Sequence, residues 1–444
     1  MPMFYQNTKR NLYWIVFIKS TTKRIIFALS FFTLIVNADT NDLTLTLAVK
    51  QALQQNPTLK VYPLKKQGLL GEYQTANLKP QYKLNIETEQ FAGTGELSGI
   101  DSLETTVSLS SVVEMGGKRQ SRTGIIASKR SVLETKQQIA ALSLLGDVTR
   151  KYVTLLAIQQ QQSLANEALN LTTSALKIVK NRSKAGVSPA FEVDRAIAAQ
   201  AKAELTLASI EQQLEYRKIS LAAMWGDTRF SYNKLDGDLF SFGNDIDFDS
   251  LYARVAQNPM IQLFAAKERL SQSIVRLAKT ESTADVSWSI GLRQTQETSD
   301  TSLVAGFSMP LISSDRNRGA ITTALAKQNE VYIQKDIAIL TMHAQLFRAF
   351  NNRKQAIRTV RKLKQIIIPS LEKSMLATLK AYQQGRYSYL ETVSARQELL
   401  SAKRTLIDAA QAALKYGAEI EQLTAEPLAA SNYALPEQYK GLQK

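Results

Sequence analysis

Apolar residues recur at steps of three and four over most of this chain, and at every second position over four short runs. Leu145, Val148, Tyr152 and Leu155 start one helical series, and Leu164, Ala168, Leu171, Ala175 and Ile178 continue it. Ile333, Ile337, Leu340, Ala344 and Phe347 repeat the rhythm in the second half. Val393, Leu400, Ile407 and Leu414 fall seven apart, with Leu399, Leu406 and Ala413 beside them. Steps of three and four line up on one face of an α-helix, and a sustained stripe is a coiled-coil seam. Many seam positions are Ala, which lets helices pack closely. No proline lies between Pro80 and Pro189, so Arg119 to Lys184 is free to form one helix. At 1.5 Å per residue it would be about 100 Å long. Pro369, inside the second long helix, is expected to kink it.

Each long helix is interrupted once by turn chemistry. In SKAGVSPAFEVDRA, Gly186 can adopt the left-handed conformation that ends a helix. Ser188 is the expected N-cap of the next helix, with Pro189 at its first position. In the second half Gly385 ends the helix and Ser388-x-x-Glu391 has the form of a capping box. Two long helical hairpins follow, with both tips at one end, about 100 Å from the strands.

The period-two runs are predicted as strands near residues 81–92, 103–114, 285–296 and 302–312. Tyr82, Leu84 and Ile86 alternate with Lys83, Asn85 and Glu87; Leu103, Thr105, Val107, Leu109 and Val113 share one face. Val286, Trp288, Ile290 and Leu292 alternate with Ser287, Ser289, Gly291 and Arg293. Leu303, Ala305, Phe307, Met309 and Leu311 form the last apolar face. Runs of about ten residues with one apolar face suit a barrel in lipid, and equally a soluble sheet covering helices. Four strands cannot close a barrel, whose observed minimum is about eight. Strands in a membrane would therefore have to be pooled among chains: eight from a dimer, twelve from a trimer.

The halves repeat. Val49-x-x-x-Leu53-x-Gln55-Asn56-Pro57 opens one and Leu251-x-x-x-Val255-x-Gln257-Asn258-Pro259 the other. Each half is expected to run short helix, two strands, very long helix, turn, long helix. The division is residues 39–235 and 236–426, with a tail at 427–444 and a secretory signal at 1–38. The signal reading rests on Lys9, Arg10, Lys19, Lys23 and Arg24, the twelve-residue apolar run Ile25 to Val36, and Val36-Asn37-Ala38 as a cleavage motif. That run is too short to span a bilayer.

Composition removes several functions. The 444 residues hold no Cys and one His, His343, so thiolate sites, disulfides and Ser-His-Asp catalysis have no material. The signal carries five of the +16 net charges, leaving +11 on the remainder. Those charges are scattered along helices among Glu, Gln and Asn, which reads as a solvated surface rather than a nucleic-acid patch. Asp236, Asp238, Asp245, Asp247 and Asp249 between the halves lack the order of a calcium loop and read as a solvated linker. No enzyme, cofactor or resident metal is expected.

Four strands and two long hairpins on a secreted chain resemble the TolC-like outer-membrane efflux proteins, from about Leu43 to Ala425. The resemblance is carried by the twice-used Gln-Asn-Pro, the tips around Gly186 and Gly385, and the junction Glu114-Met115-Gly116-Gly117-Lys118-Arg119. The Gly-Gly-Lys-Arg junction is most similar to the cation-efflux, CzcC-like branch. The second junction, Ser313 to Arg318, keeps the basic character without the glycines. The resemblance implies a mostly α fold with a small β part: a homotrimer with a twelve-stranded outer-membrane barrel over a periplasmic α-helical tube. It implies a passive exit duct for an inner-membrane pump of the RND type joined by a periplasmic adaptor, with heavy-metal cations as the expected cargo. Multidrug or type I secretion duty, and a non-pore periplasmic coiled coil, are the alternatives.

By the resemblance, the tips close the tube. Glu192, Tyr382 and Glu391 are the implied gate residues. Tyr387 stands where some members have an arginine, and Ser394 where some have a second acid. Glu192 and Glu391 could equally do no more than complement a helix dipole. Gly186, Val187, Ser188, Gly385, Arg386, Tyr387 and Ser388 are the implied adaptor-docking residues; for the glycines, turn chemistry alone is a sufficient reason.

Overall fold

The computed structural model describes residues 42–243, 246–311 and 317–426, which fall in one compact unit, Asn41–Lys444. The signal at 1–38, the tail at 427–444, Asp245 and Ser313 to Arg316 of the second junction lie outside the described residues. The described residues form nine α-helices and six strands. In chain order they are β1 (Asp42–Leu43), α1 (Leu45–Gln55), α2 (Pro57–Ala76), β2 (Lys83–Glu89), β3 (Glu104–Val113), α3 (Lys118–Lys184) and α4 (Ala190–Ala222). Then come β4 (Lys234–Leu235), α5 (Phe248–Val255), α6 (Pro259–Thr280), β5 (Val286–Thr295), β6 (Asp300–Ser308), α7 (Arg318–Lys362), α8 (Ile368–Gln383) and α9 (Tyr389–Thr424). The last strand begins earlier and ends earlier than its apolar pattern indicated, because Met309 and Leu311 lie beyond its final ladder pair.

Each half has two helices before its strands, where the periodicity indicated one. The break is the Gln-Asn-Pro motif. Asn56 Oδ1 accepts from the Thr58 backbone N–H at 2.8 Å, and Asn258 Oδ1 from that of Met260 at 2.8 Å. The proline sits at the first helical position, where its missing N–H costs nothing. The same asparagines reach back to the end of their own half. Asn56 Nδ2 donates to the Met224 carbonyl at 2.7 Å; Asn258 Nδ2 donates to the Gln422 and Leu423 carbonyls, both at 2.9 Å. One side chain thus caps a helix and fastens the corner.

The sheet is antiparallel in the order β2-β3-β5-β6. Leu84, Leu109, Ile290 and Ala305 lie in one row across it, and Ile86, Val107, Leu292 and Leu303 in another. The intervening row is Asn85, Ser108, Gly291 and Val304. One face is therefore continuous hydrocarbon and the other largely polar. Leu84, Ile86, Leu292, Leu303 and Phe307 are exposed. No helix of the described residues is long and apolar enough to cross a membrane.

Below the sheet α2 packs on α3, α3 on α6 and α6 on α7; farther on α4 packs on α3, α3 on α9, and α9 on α7 and α8. Val148, Tyr152, Leu155, Leu221 and Ala410 belong to the main core. Beyond Ile158 the buried positions of α3 are Ala165, Thr172, Leu176 and Val179, one residue away from much of the expected stripe. Ala168, Leu171, Ala175 and Ile178 flank them half-buried, because α3 is covered on two sides. The stripe expected to be a seam on α7 is not covered by the described residues: Ile333, Ile337, Leu340 and Phe347 are exposed, Leu340 at 70%. Met342, Leu346, Ala349, Ile357 and Val360 are the buried face instead. At Pro369 the helix runs through a π turn, Leu363–Ile367, which makes room where the proline ring would meet the carbonyl four residues back.

The connection between halves is not a plain solvated linker. β4 pairs in parallel with β1, and Leu235 and Leu239 are buried. Tyr152, 2% exposed, donates its hydroxyl between the carbonyls of Leu43, at 2.7 Å, and Asp236. Tyr152→Phe leaves the Asp236 carbonyl without this donor, while the Leu43 carbonyl keeps the Asp236 N–H at 3.0 Å; it should lower stability by about 1–2 kcal/mol, read as a lower thermal midpoint. His343 is a packed histidine, edge-on to Tyr252 at 4.8 Å and to Phe248 at 5.6 Å.

Candidate functional site: the hairpin tips

Both tips close with the same backbone device. Val187 N–H bonds the Arg182 carbonyl at 3.0 Å, and Arg386 N–H bonds the Ala381 carbonyl at 2.9 Å. These six-residue closures need a left-handed residue, supplied by Gly186 at φ +74° and Gly385 at φ +76°. The capping expected next differs in both. Pro189 is extended, α4 starts at Ala190, and Ser188 donates its hydroxyl to the Glu192 carboxylate instead of accepting from a backbone N–H of the first turn. Ser388 does precede α9, but its hydroxyl goes to the Glu391 carboxylate. In each tip the acid three or four residues on is within reach and accepts the hydrogen bond of the serine hydroxyl.

The two acids then part company. Glu192 is buried, and Tyr382 donates to its carboxylate at 3.0 Å. Glu391 is exposed and bonds only within its own turn. Around Tyr382, itself 3% exposed, the Arg182 guanidinium lies over the ring at 4.7 Å. Arg182 also donates to the Gln383 carbonyl at 2.8 Å and the Val187 carbonyl at 3.4 Å. Tyr389, Leu176, Val179 and Ala196 complete an apolar collar. The first hairpin thus offers Arg182, Ser188 and Glu192, and the second answers with Tyr382 and the Gln383 carbonyl. Burial, with the Glu192 carboxylate, pushes the Tyr382 hydroxyl above its ordinary value although Ser188 and Arg182 oppose this. It remains a proton donor throughout the neutral range. Arg182 and Tyr389 were not singled out in the sequence: an arginine in a last helical turn reads as a dipole complement, and a tyrosine opening a helix carries no signal. Val187, Arg386, Tyr387 and Ser388 are exposed around the cluster.

At the opposite end Gly116 and Gly117 are both left-handed, φ +70° and +74°. A Cβ on Gly116 would lie 2.6 Å from Thr283 Oγ1, so the strand leaves for the helix at a point only glycine fits. Lys118 is buried and donates to Asp285 at 2.8 Å, with Glu281 at 3.8 Å; Arg119 is exposed. Met115 N–H bonds the other Asp285 oxygen at 2.9 Å, and Arg122 pairs with Glu114. This knot joins β3, α3, α6 and β5. Lys118→Ala should cost about 2 kcal/mol, the worth of a charged hydrogen bond with partly exposed partners, seen as a lower denaturation midpoint. Among the described residues there is no group of three or more His, Cys, Asp or Glu able to hold a metal ion.

The sequence profile described as "Outer membrane efflux protein" matches residues 48–227 and 251–426. The chain belongs to the outer membrane efflux protein family. It is thus an outer-membrane protein of the efflux channel class. Among its relatives in this family is the cobalt-zinc-cadmium resistance protein CzcC of Cupriavidus metallidurans, 22% identical over 300 residues, covering 67% of this chain and 72% of CzcC. The pyoverdine export outer membrane protein OpmQ of Pseudomonas aeruginosa is 26% identical over 271 residues, 58% of this chain and 56% of OpmQ. In structure the efflux protein is similar to CusC, with TM-score 0.69 and 17% identity, covering 86% of this chain and 92% of CusC. It is similar to VceC of Vibrio cholerae, with TM-score 0.68 and 18% identity, covering 86% and 96% of the respective chains. Those likenesses give the fold: a mostly helical chain with a small sheet, as in these outer-membrane channels.

Proposed function

We propose that three copies of this chain form the exit duct of a tripartite efflux system, with a shared twelve-stranded barrel above a helical tube. The observation that carries this is a coincidence of edges. β2 and β6 each lack a strand on their outer side among the described residues. α2 and α7, at the same two ends of the helix layer, each expose apolar residues: Val61, Leu64 and Leu70 on one, Ile333, Ile337 and Leu340 on the other. Open strand edges in lipid would leave backbone groups unpaired at several kcal/mol each. Joining β6 of one copy to β2 of the next satisfies both the sheet and the helix layer. The halves at 39–235 and 236–426 are two copies of one structural unit, each supplying a strand pair and a hairpin.

The duct is passive, and its partners are an inner-membrane pump and a periplasmic adaptor. The tips are its closable end, with Glu192 and Tyr382 as the latch and Glu391 as an outward carboxylate near it. Val187, Ser188, Arg386, Tyr387 and Ser388 are the surface for the adaptor hairpin. Heavy-metal cations are the proposed cargo, supported by the likeness to a cobalt-zinc-cadmium resistance protein. Deleting the gene should lower tolerance to cobalt, zinc or cadmium and leave drug tolerance intact. Loss of drug tolerance alone would move the assignment to the multidrug alternative, and loss of pyoverdine export alone to the duty that OpmQ is named for. A particle without lipid or conductance would end the duct reading and favour the non-pore coiled coil.

A further inference from the structure

Among the described residues, three fully buried side-chain polar atoms have no hydrogen-bond partner: Gln51 Oε1, Arg182 Nε and the Tyr389 hydroxyl. Two of the three lie in the tip collar, so unmet polar groups gather where the hairpins meet. Arg182 is largely answered, since its two terminal nitrogens donate to the Gln383 and Val187 carbonyls. Tyr389 is not: it is 3% exposed, and the hydroxyl is its one polar side-chain atom. Tyr382 stands seven residues before it, with the two rings 6.0 Å apart. The Tyr382 hydroxyl is answered, by Glu192 at 3.0 Å and by Ser188 at 3.5 Å. Two tyrosines of one collar, on either side of one turn, are thus in opposite states.

What buries Tyr389 is the contact between the hairpins. Leu176 and Val179 of α3 and Ala196 of α4 belong to the first hairpin, Tyr382 of α8 and Tyr389 of α9 to the second. Parting the hairpins uncovers the hydroxyl and lets water bond to it. A hydroxyl desolvated without a partner is costly, and here the cost is confined to the closed arrangement. The bond from Tyr382 to Glu192 acts in the other sense, because it exists only while the hairpins touch. Native proteins leave few buried polar groups unmet, and one that persists is a reservoir of strain. We propose that Tyr389 is the opening arm of a balanced latch: its unanswered hydroxyl favours separation of the two hairpin tips, against the bond from Tyr382 to Glu192. The inference rests on the reading of Glu192 and Tyr382 as a latch, and it adds the group that opposes closure.

The test uses the full mature chain, purified in its assembled form in a neutral detergent. Hydrogen–deuterium exchange follows the backbone amides of 176–196 and 379–393, whose protection depends on how often the tips part. Tyr389→Phe keeps the ring and removes only the hydroxyl. It should slow exchange in both segments about fivefold or more, the change that corresponds to relieving one buried unmet hydroxyl. Tyr382→Phe should speed exchange in the same segments, and the double variant should fall between the two. A tyrosine that merely fills the collar would give no change or the opposite sign, because Phe brings no new contact. Unchanged or faster exchange in Tyr389→Phe therefore overturns the proposal. Open fraction in planar lipid bilayers separates this from the duct reading. A lower open fraction in Tyr389→Phe supports both. Slower exchange with an unaltered open fraction upholds the opening arm and counts against the tips as the gate.

Discussion

Ile337→Glu combined with Leu340→Glu will leave the purified chain monomeric. Both side chains are exposed on α7, three residues apart on one face, and both belong to the stripe of Ile333 and Phe347. Covering a large aliphatic side chain is worth about 1.5–3 kcal/mol. Two are lost in the double variant, and two carboxylates are put where hydrocarbon would cover them, at several kcal/mol more unless they find partners. A ring of three has three such interfaces, so the penalty is incurred three times in closing it. Lys335→Glu, on an exposed position of α7 away from the stripe, is the control and should leave the assembly intact. Light scattering of detergent-solubilised protein reads the result. A double variant that still runs as a trimer would show that α7 is not the interface, and the edge-to-edge closure would have to be abandoned.

That stripe also shows what periodicity can and cannot establish. The heptad spacing from Ile333 to Phe347 marks an apolar helix face, and the face is there. Spacing does not say which chain covers it. In α3 the converse happened: neighbours on two sides buried Ala165 and Thr172, positions that a single stripe did not include. Gln-Asn-Pro was legible as a repeat marker, yet its role in fastening a corner depends on carbonyls of Met224 and Gln422, about 165 residues away along the chain. Turn positions were legible because glycine at positive φ is a local matter. Functional equivalence was not. Glu192 and Glu391 sit at the same offset from their glycines, six residues on, but one is buried against Tyr382 and the other faces outward. Local chemistry fixes the helix start; only the packing of two unequal hairpins decides which azimuth is enclosed.

Tyr382→Phe should raise the open fraction, and with it the mean conductance, in planar lipid bilayers. The substitution keeps the ring under Arg182 and removes only the hydroxyl that Glu192 accepts from at 3.0 Å. A hydrogen bond to a charged group is worth about 2 kcal/mol. If three chains open together the loss is about 6 kcal/mol, which shifts the closed-to-open ratio by roughly four decades. Glu192→Ala removes the same bond from the other side and should match it, while Glu391→Ala, on an exposed residue outside the cluster, should change conductance little. Alkaline pH should mimic Tyr382→Phe. The raised hydroxyl pKa means that the folded, latched state holds its proton more tightly than the unfolded chain. The latch therefore contributes in full below the ordinary tyrosine pKa of about 10 and is lost as pH rises through the higher folded value. Conductance of the unaltered protein should accordingly climb only in strongly alkaline buffer, and Tyr382→Phe should be flat over the same range. Equal conductance in the two proteins at neutral pH would mean that Tyr382 and Glu192 hold the hairpins together without closing anything.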